Sequence, residues 1–305
     1  MDETQAPAVP KISVIILSYN SAPALRRCLT ALEASTARKE MEIIVVDAGS
    51  QDESPQLDTE FPEVTFQRMP RHFGATKALN IGARTAAGEY IFYVSTQTEV
   101  QADTAAKLAQ HLDEDESAAA VCPALIAPHG EPANQIRRLP TPDTLSQAWR
   151  DPESLPAIAA PAGTEPVSVE YPGRAALMVR KFYLRGINYL DEKYGQFWSD
   201  ADLCFQIRRA GRKILLLPDV KAILHPSEDG ELSSGARALL EADSASGAAR
   251  YASKYFGAFA GVKLRIGAVL YGLGQLFTFR DLGFQIARLS GLLSGQKVDG
   301  TQTTL

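Results

Sequence analysis

The chain has 305 residues, 45% of them hydrophobic and 22% charged, and carries a formal net charge of −5. This composition excludes the disordered, collagen-like and disulfide-scaffold classes. The acidic balance speaks against nucleic acid as a partner, because such binders need dense Lys and Arg to displace phosphate counterions.

Residues 1–10, MDETQAPAVP, are acidic and rich in Pro and Ala. They read as a disordered N-terminus and not as a signal peptide. Residues 11–18 (KISVIILS) are nearly all apolar and β-branched, as in a strand buried on both faces. Ser21 and Pro23 then open a helix, with Leu25, Cys28, Leu29 and Leu32 on one face. A second buried strand, 42–46, ends in Asp47-Ala48-Gly49-Ser50. An apolar piece follows from Val64 to Met69, then a Gly/Ala-rich helix at 74–87, a strand at 90–94 and a helix at 102–113. The alternation predicts an α/β fold, a Rossmann-like, mostly parallel sheet flanked by helices. Residues 127–166, rich in Pro and Ala, read as a long surface excursion. Order resumes at Ala175–Val179, with a helix from Ser199–Asp200 and strands at 213–217 and 220–224. A helical, Gly-interrupted tail forms the rest. The expected organisation is an α/β unit at 11–230 and a helical extension at 231–305.

Cys28, Cys122 and Cys204 are far apart and form no CxxC pair, which predicts reduced thiols. No stretch reaches the ~18 apolar residues of a membrane span. The expected location is the cytoplasm, or the inner face of the cell membrane as a peripheral protein.

Sheets of this kind place ligands beyond the carboxyl ends of their strands. Three segments lie there: Ser18–Ser21, Asp47–Ser54 and Ser95–Glu99. No GxGxxG follows the first strand and no GxxxxGK[ST] occurs, so neither common phosphate loop is present. Asp47 suits hydrogen bonds from a base or ribose, or it simply opens a Gly-Ser turn. In Gly74-Ala-Thr-Lys77-Ala-Leu-Asn80-Ile-Gly82 the helix start favours a diphosphate, with Lys77 adding charge. Tight helix-on-sheet packing also explains Gly and Ala, but not Asn80. Asp200 reads as a general base or, with Ser199, as a helix cap. His225 ends a strand and is either structural or a ligand.

Together these residues resemble family 2 glycosyltransferases. Val14-Ile-Ile-Leu-Ser-Tyr-Asn-Ser21, Val45-Val-Asp-Ala-Gly-Ser50, Gly74…Asn80-Ile-Gly82 and Gly88-Glu-Tyr stand in that family's order. So do Ala176-Leu-Met-Val-Arg180, Asp191-Glu192, Asp200-Ala-Asp-Leu-Cys204, Arg209-Ala-Gly211 and His225. The match covers about 11–226, and its layout is similar to the rhamnosyltransferase-type branch. The resemblance implies a GT-A fold and inverting transfer from a nucleotide sugar to a hydroxyl of a glycan or lipid-linked acceptor, in bacterial polysaccharide or cell-envelope synthesis. It implies Asp200 as catalytic base, Ser18, Asn20 and Asp47 around the nucleotide, and His225 as the metal-associated histidine. Lys77, Asn80, Ser95, Gln97 and Asp202 complete the expected nucleotide-sugar contacts.

The family normally places Asp-x-Asp after this strand, holding Mg²⁺ or Mn²⁺ on the diphosphate. Here Ser95-Thr96-Gln97 stand in those positions and offer no anionic oxygen to a hard cation. Ser199 likewise stands where the family has Glu. The metal-free alternative assigns the charge to Lys77, Arg71 or Arg174. The same replacement leaves open a catalytically inactive homologue that binds a nucleotide sugar or scaffolds a partner. The apolar tail Tyr255–Phe279, flanked by Lys254, Lys263, Arg265 and Arg280, reads as helices packed on the catalytic unit, a homodimer contact, or a peripheral membrane contact.

Overall fold

In the computed structural model, residues 9–133, 135–159, 163–227, 232–278 and 281–300 are described. Most of the segment expected to be disordered, and Arg280, lie outside them.

Strands β1 (Ile12–Ser18) and β2 (Met41–Asp47) are joined by helix α1 (Ala22–Glu33) and lie parallel in register. Both strands are buried on both faces, as their unbroken apolar runs demand. β3 (Thr65–Arg68), α2 (Ala75–Thr85), β4 (Tyr90–Ser95), β5 (Thr98–Val100), α3 (Thr104–Glu114) and β6 (Ala118–Ile126) follow. Then come α4 (Pro142–Ala148), β7 (Val167–Ser168), β8 (Ala176–Arg180), α5 (Lys181–Gly186), α6 (Ser199–Arg209) and β9 (Lys213–Leu224). The tail forms α7 (Ser234–Phe256), α8 (Ala258–Leu276) and α9 (Leu282–Ser294).

The sheet runs β3-β2-β1-β4-β8-β6-β9-β5, with β7 beside β9. Its first four strands are parallel, while β8 is antiparallel to both neighbours. Alternate residues serve two cores. Val14 and Ile16 pack with Leu25, Leu29 and α3 on one face, and Ile15 packs with α2 and α6 on the other. At Gly82 a Cβ would stand 2.8 Å from Ile15 Cγ2, so this glycine lets α2 lie close on the sheet.

Three elements differ from expectation. β6 was not predicted, because its Ala-rich sequence AAAVCPALI lacks the usual β-branched signal, yet it is the link between β8 and β9. The two strands expected at 213–217 and 220–224 are one strand. The pairing jumps from Pro123↔Leu217 to Ala124↔Lys221, and this irregularity absorbs Pro218, Asp219 and Val220. The 127–166 excursion is partly built: Thr141 and Thr144 form a capping box on α4, and Leu145, Trp149 and Leu155 join the core.

The tail is locked onto the segment before α6. Asp243, 1% exposed, accepts from the backbone N–H of Gln196 at 2.8 Å and of Val298 at 2.7 Å. Burial pushes its carboxyl up to about 6. Trp198 Nε1 donates to the Ser244 carbonyl at 2.8 Å, and Arg250 pairs with Asp191 at 2.8 Å.

Candidate active site

The parallel register sets Ser18 opposite Asp47 and Leu17 opposite Ser95, so three strand ends meet at one edge. Asp47 is 2% exposed. Its Oδ2 accepts the N–H groups of Gly49 and Ser50, both at 3.2 Å. Its Oδ1 is buried and has no hydrogen-bond partner. Buried acceptors are almost always satisfied, so this oxygen is open to a donor from a ligand or a water. Gly49 has φ +80, and a Cβ there would lie 2.7 Å from Arg71 Cα, so glycine is required on both counts.

Asn20, with φ 46, clamps this loop: its Oδ1 accepts from Gln51 N at 2.7 Å and its N–H donates to Ser50 Oγ at 2.9 Å. Ser18 Oγ lies 3.2 Å from Ser21 Oγ in the interior, a position that supports the edge from behind. Ser21 precedes α1 as expected, but its side chain does not cap it. Asp52 Oδ2 instead accepts from Ala22 N at 2.9 Å.

His72 was not singled out in the sequence, where nothing distinguishes it from a loop histidine. Its ring meets Tyr19 edge-on at 4.9 Å, and Nδ1 accepts from Gly74 N at 3.0 Å. Burial pushes the imidazole down to about 4. The folded state therefore favours the neutral ring, a contribution present above pH 6.5 and lost as pH falls through 4. Between pH 7 and 4 the native chain should lose about 3 kcal/mol more stability than His72→Asn, which keeps an acceptor and cannot titrate. Parallel urea midpoints across this range would refute the assignment.

At the β4 end, Ser95 Oγ donates to Gln97 Oε1, and Ser95 N donates to the Ala175 carbonyl at 2.9 Å. His225 N donates to the Gln97 carbonyl at 2.9 Å, bringing the end of β9 to the same turn. His225 Nε2 lies 2.8 Å from Glu99 Oε2. Glu99 is a carboxylate that the search for Asp-x-Asp passes over, because it lies four residues beyond Ser95. Among the described residues no group of three or more His, Cys, Asp or Glu side chains is placed to hold a metal ion. Mg²⁺ takes one or two protein carboxylates and completes its shell with substrate phosphate oxygens and water, so His225 and Glu99 would hold such a cation only together with a bound diphosphate.

Asp200 opens α6. Tyr171 OH donates to its Oδ2 at 3.0 Å, and Arg174 Nη1 stands 3.9 Å from its Oδ1. Burial, reinforced by the Asp200 charge, holds the Tyr171 phenol well above its ordinary range, so it remains a donor. Sequence reasoning missed Tyr171 because it lies 29 residues from Asp200. Arg174 precedes β8, whose antiparallel pairing returns it to the edge where β4 ends. Neither Ser199 nor Asp200 is the N-cap, which is Trp198. Trp198 adopts φ 73, a left-handed conformation costly for a bulky residue. Its buried indole, fixed to Ser244, holds that turn and so sets where Asp200 points.

Several expected contacts belong elsewhere. Asp202 is 1% exposed and faces the tail, accepting from Lys254 at 2.6 Å, Tyr255 at 2.8 Å, Tyr194 at 3.1 Å and Gln206 at 2.7 Å. Asn80 is fully buried. Its amide donates to the Leu190 carbonyl at 2.8 Å and accepts from Leu190 N at 3.0 Å, so it staples α2 to that loop. The start of α2 does not present a bare phosphate cradle either. Ala75 N donates to Gln196 Oε1 at 3.0 Å, and Thr76 N to the Gly195 carbonyl at 3.1 Å. Lys77 is exposed, with its ammonium 4.5 Å from the Phe73 ring centre.

Residues 13–176, just over half of the chain, match the family described as Glycosyl transferase family 2. The glycosyltransferase GlyA of Streptococcus pneumoniae serotype 4 is 32% identical over 96 residues, which are 30% of this chain and 14% of that protein. The chain thus spans only a small part of this curated relative's length. The structure of GalNAc-T7 with UDP, GalNAc and Mn²⁺ superposes with a TM-score of 0.63 at 15% identity, covering 95% of this chain and 57% of that one. The mannosyltransferase PcManGT of Pyrobaculum calidifontis, solved with GDP-Man and Mn²⁺, superposes at 0.55 and 16% identity, covering 94% and 87%. The shared architecture is the GT-A fold.

Proposed function

The chain belongs to glycosyl transferase family 2, and from that premise we propose that it moves a sugar, with inversion, from a nucleotide-sugar donor to a hydroxyl of a glycan or lipid-linked acceptor. The observation that carries this reading is the unpartnered Oδ1 of Asp47, set at the strand-end edge beside Ser18. A base or ribose hydrogen bond would satisfy that oxygen. Asp47→Asn is expected to weaken nucleotide-sugar binding about tenfold to a hundredfold, the range for hydrogen bonds to charged groups. Calorimetry with UDP- and GDP-sugars measures it, and unchanged affinity would remove Asp47 from the site.

In the transfer itself Asp200 takes the acceptor proton while the acceptor oxygen bonds the anomeric carbon and the bond to the diphosphate breaks. Tyr171 and Arg174 position the carboxylate. The leaving diphosphate needs positive charge, and a well-placed donor is worth about 3 kcal/mol of barrier. Arg174, at the β8 edge, supports that role through its geometry; Arg71 and Lys77, on either side of Phe73, are the other candidates. The metal-free reading rests on Ser95-Thr96-Gln97 in place of Asp-x-Asp, and on it transfer is expected to persist in EDTA. Loss in EDTA with recovery on Mn²⁺ would overturn the metal-free reading, and the Mn²⁺ in both structural neighbours makes that the informative control.

The order of the motifs supports a rhamnosyltransferase-like branch, a bacterial envelope pathway and a cytoplasmic catalytic unit at 11–230 with its helical extension at 231–305. The second reading, an inactive homologue that binds a nucleotide sugar or scaffolds a partner, is favoured by Ser95-Thr96-Gln97 alone. Binding without turnover across donors and glycan acceptors would establish it.

A further inference from the structure

Helix α8 has its side chains inside out. Its buried positions are Gly261, Leu264, Ala268 and Gly272, so small residues face the helix bundle. Phe259, Val262, Ile266, Leu270, Leu273 and Phe277 are exposed, at helical spacings of three and four. Of the fifteen exposed large hydrophobic side chains among the described residues, eleven lie between Phe256 and Leu293. Ile286 and Leu293 extend the patch onto α9. An apolar face of this extent on a lone protein marks a contact surface.

Charge identifies what it contacts. Three cations of the tail are paired within the chain, Arg250 with Asp191, Lys254 with Asp202 and Arg288 with Glu241, whereas Lys263 and Arg265 on α8 are exposed and have no acid partner among the described residues. Lys263 lies exposed within the apolar stretch. A second copy would set this patch against itself, and residues 258–278 contain no acid to face Lys263 or Arg265. Anionic headgroups answer both the cations and the apolar side chains. No helix among the described residues is long and apolar enough to cross a membrane, so the contact is with the surface.

We propose that the outer face of α8 and α9 docks on an anionic bilayer. Tyr255, just before the stripe, donates to Asp202, two residues from Asp200. The docking face is thereby tied through α7 to the helix that carries the proposed base, which favours a lipid-linked acceptor; that last step alone rests on the transferase reading.

Co-sedimentation of the full chain with phosphatidylcholine vesicles, with and without phosphatidylglycerol, tests this. Binding should be about tenfold or more stronger with phosphatidylglycerol and should weaken in salt. Ile266→Glu with Leu270→Glu should reduce it at least about tenfold, with nucleotide-sugar affinity and melting temperature unchanged because both side chains point outward. Lys263→Ala should cost about fivefold. No binding to phosphatidylglycerol vesicles, or a concentration-dependent dimer that the double variant dissolves, would overturn the proposal. Vesicle binding by a chain that takes no nucleotide sugar would keep the surface and reject only the acceptor.

Discussion

Asp200→Asn is expected to lower the rate of sugar transfer about 10²- to 10⁴-fold, the range a positioned general base contributes. The amide keeps the size and an acceptor for Tyr171 OH, which donates at 3.0 Å, so the turn should survive. What it lacks is the ability to take a proton. Nucleotide-sugar affinity should be nearly unchanged, since the nucleotide is assigned to Asp47 at another strand end. Single-turnover transfer beside calorimetric affinity separates the two quantities. Wild-type turnover in the variant would remove Asp200 as base, and the proposed mechanism with it.

Asp202→Ala, two residues on, should do something different: cost about 3 kcal/mol of stability, the lower end for breaking a buried ion pair. The lower end applies because Lys254 is 32% exposed and regains water. Tyr194 and Tyr255 do not escape so easily. Burial, with the Asp202 charge, keeps both phenols protonated far above the ordinary range, so removing the carboxylate leaves two donors without their acceptor. Urea unfolding measures the loss, and a change below about 1 kcal/mol would show that the tail is held by other contacts. One turn of one helix then carries a carboxylate for chemistry and another for docking α7.

The contrast shows where the sequence is legible. Buried parallel strands carry their own signature, so β1, β2 and β4 stand out as apolar runs, and their polar endings point to the ligand edge. Asp47 and Asp200 are legible because each sits at a fixed offset from such an element. Asp202 shares the motif with Asp200, and spacing alone assigns it the same cleft. A helix turns 100° per residue, so two positions apart the side chains face widely different directions. Asn80 is similar: its burial is readable from its surroundings, but its partner, Leu190, is 110 residues away. Glu99 falls in the strand-end segment 95–99 but nothing local names His225 as its partner, and Tyr171 and His72 carry no local signal at all. They reach the edge through strand pairing and loop packing, which no window of sequence contains.

The sequence by itself determined the strand-helix alternation and set Asp47 at the end of β2 and Asp200 at the start of α6, because these depend on periodicity and on residues adjacent to the elements they bound. Tertiary structure decided the rest. It spent Asn80, Asp202 and the α2 N-terminus on internal contacts, paired His225 with Glu99, and turned the large apolar residues of α8 outward. Each of these depends on which distant groups compete for the same donor, acceptor or apolar face, and only folding brings the competitors together.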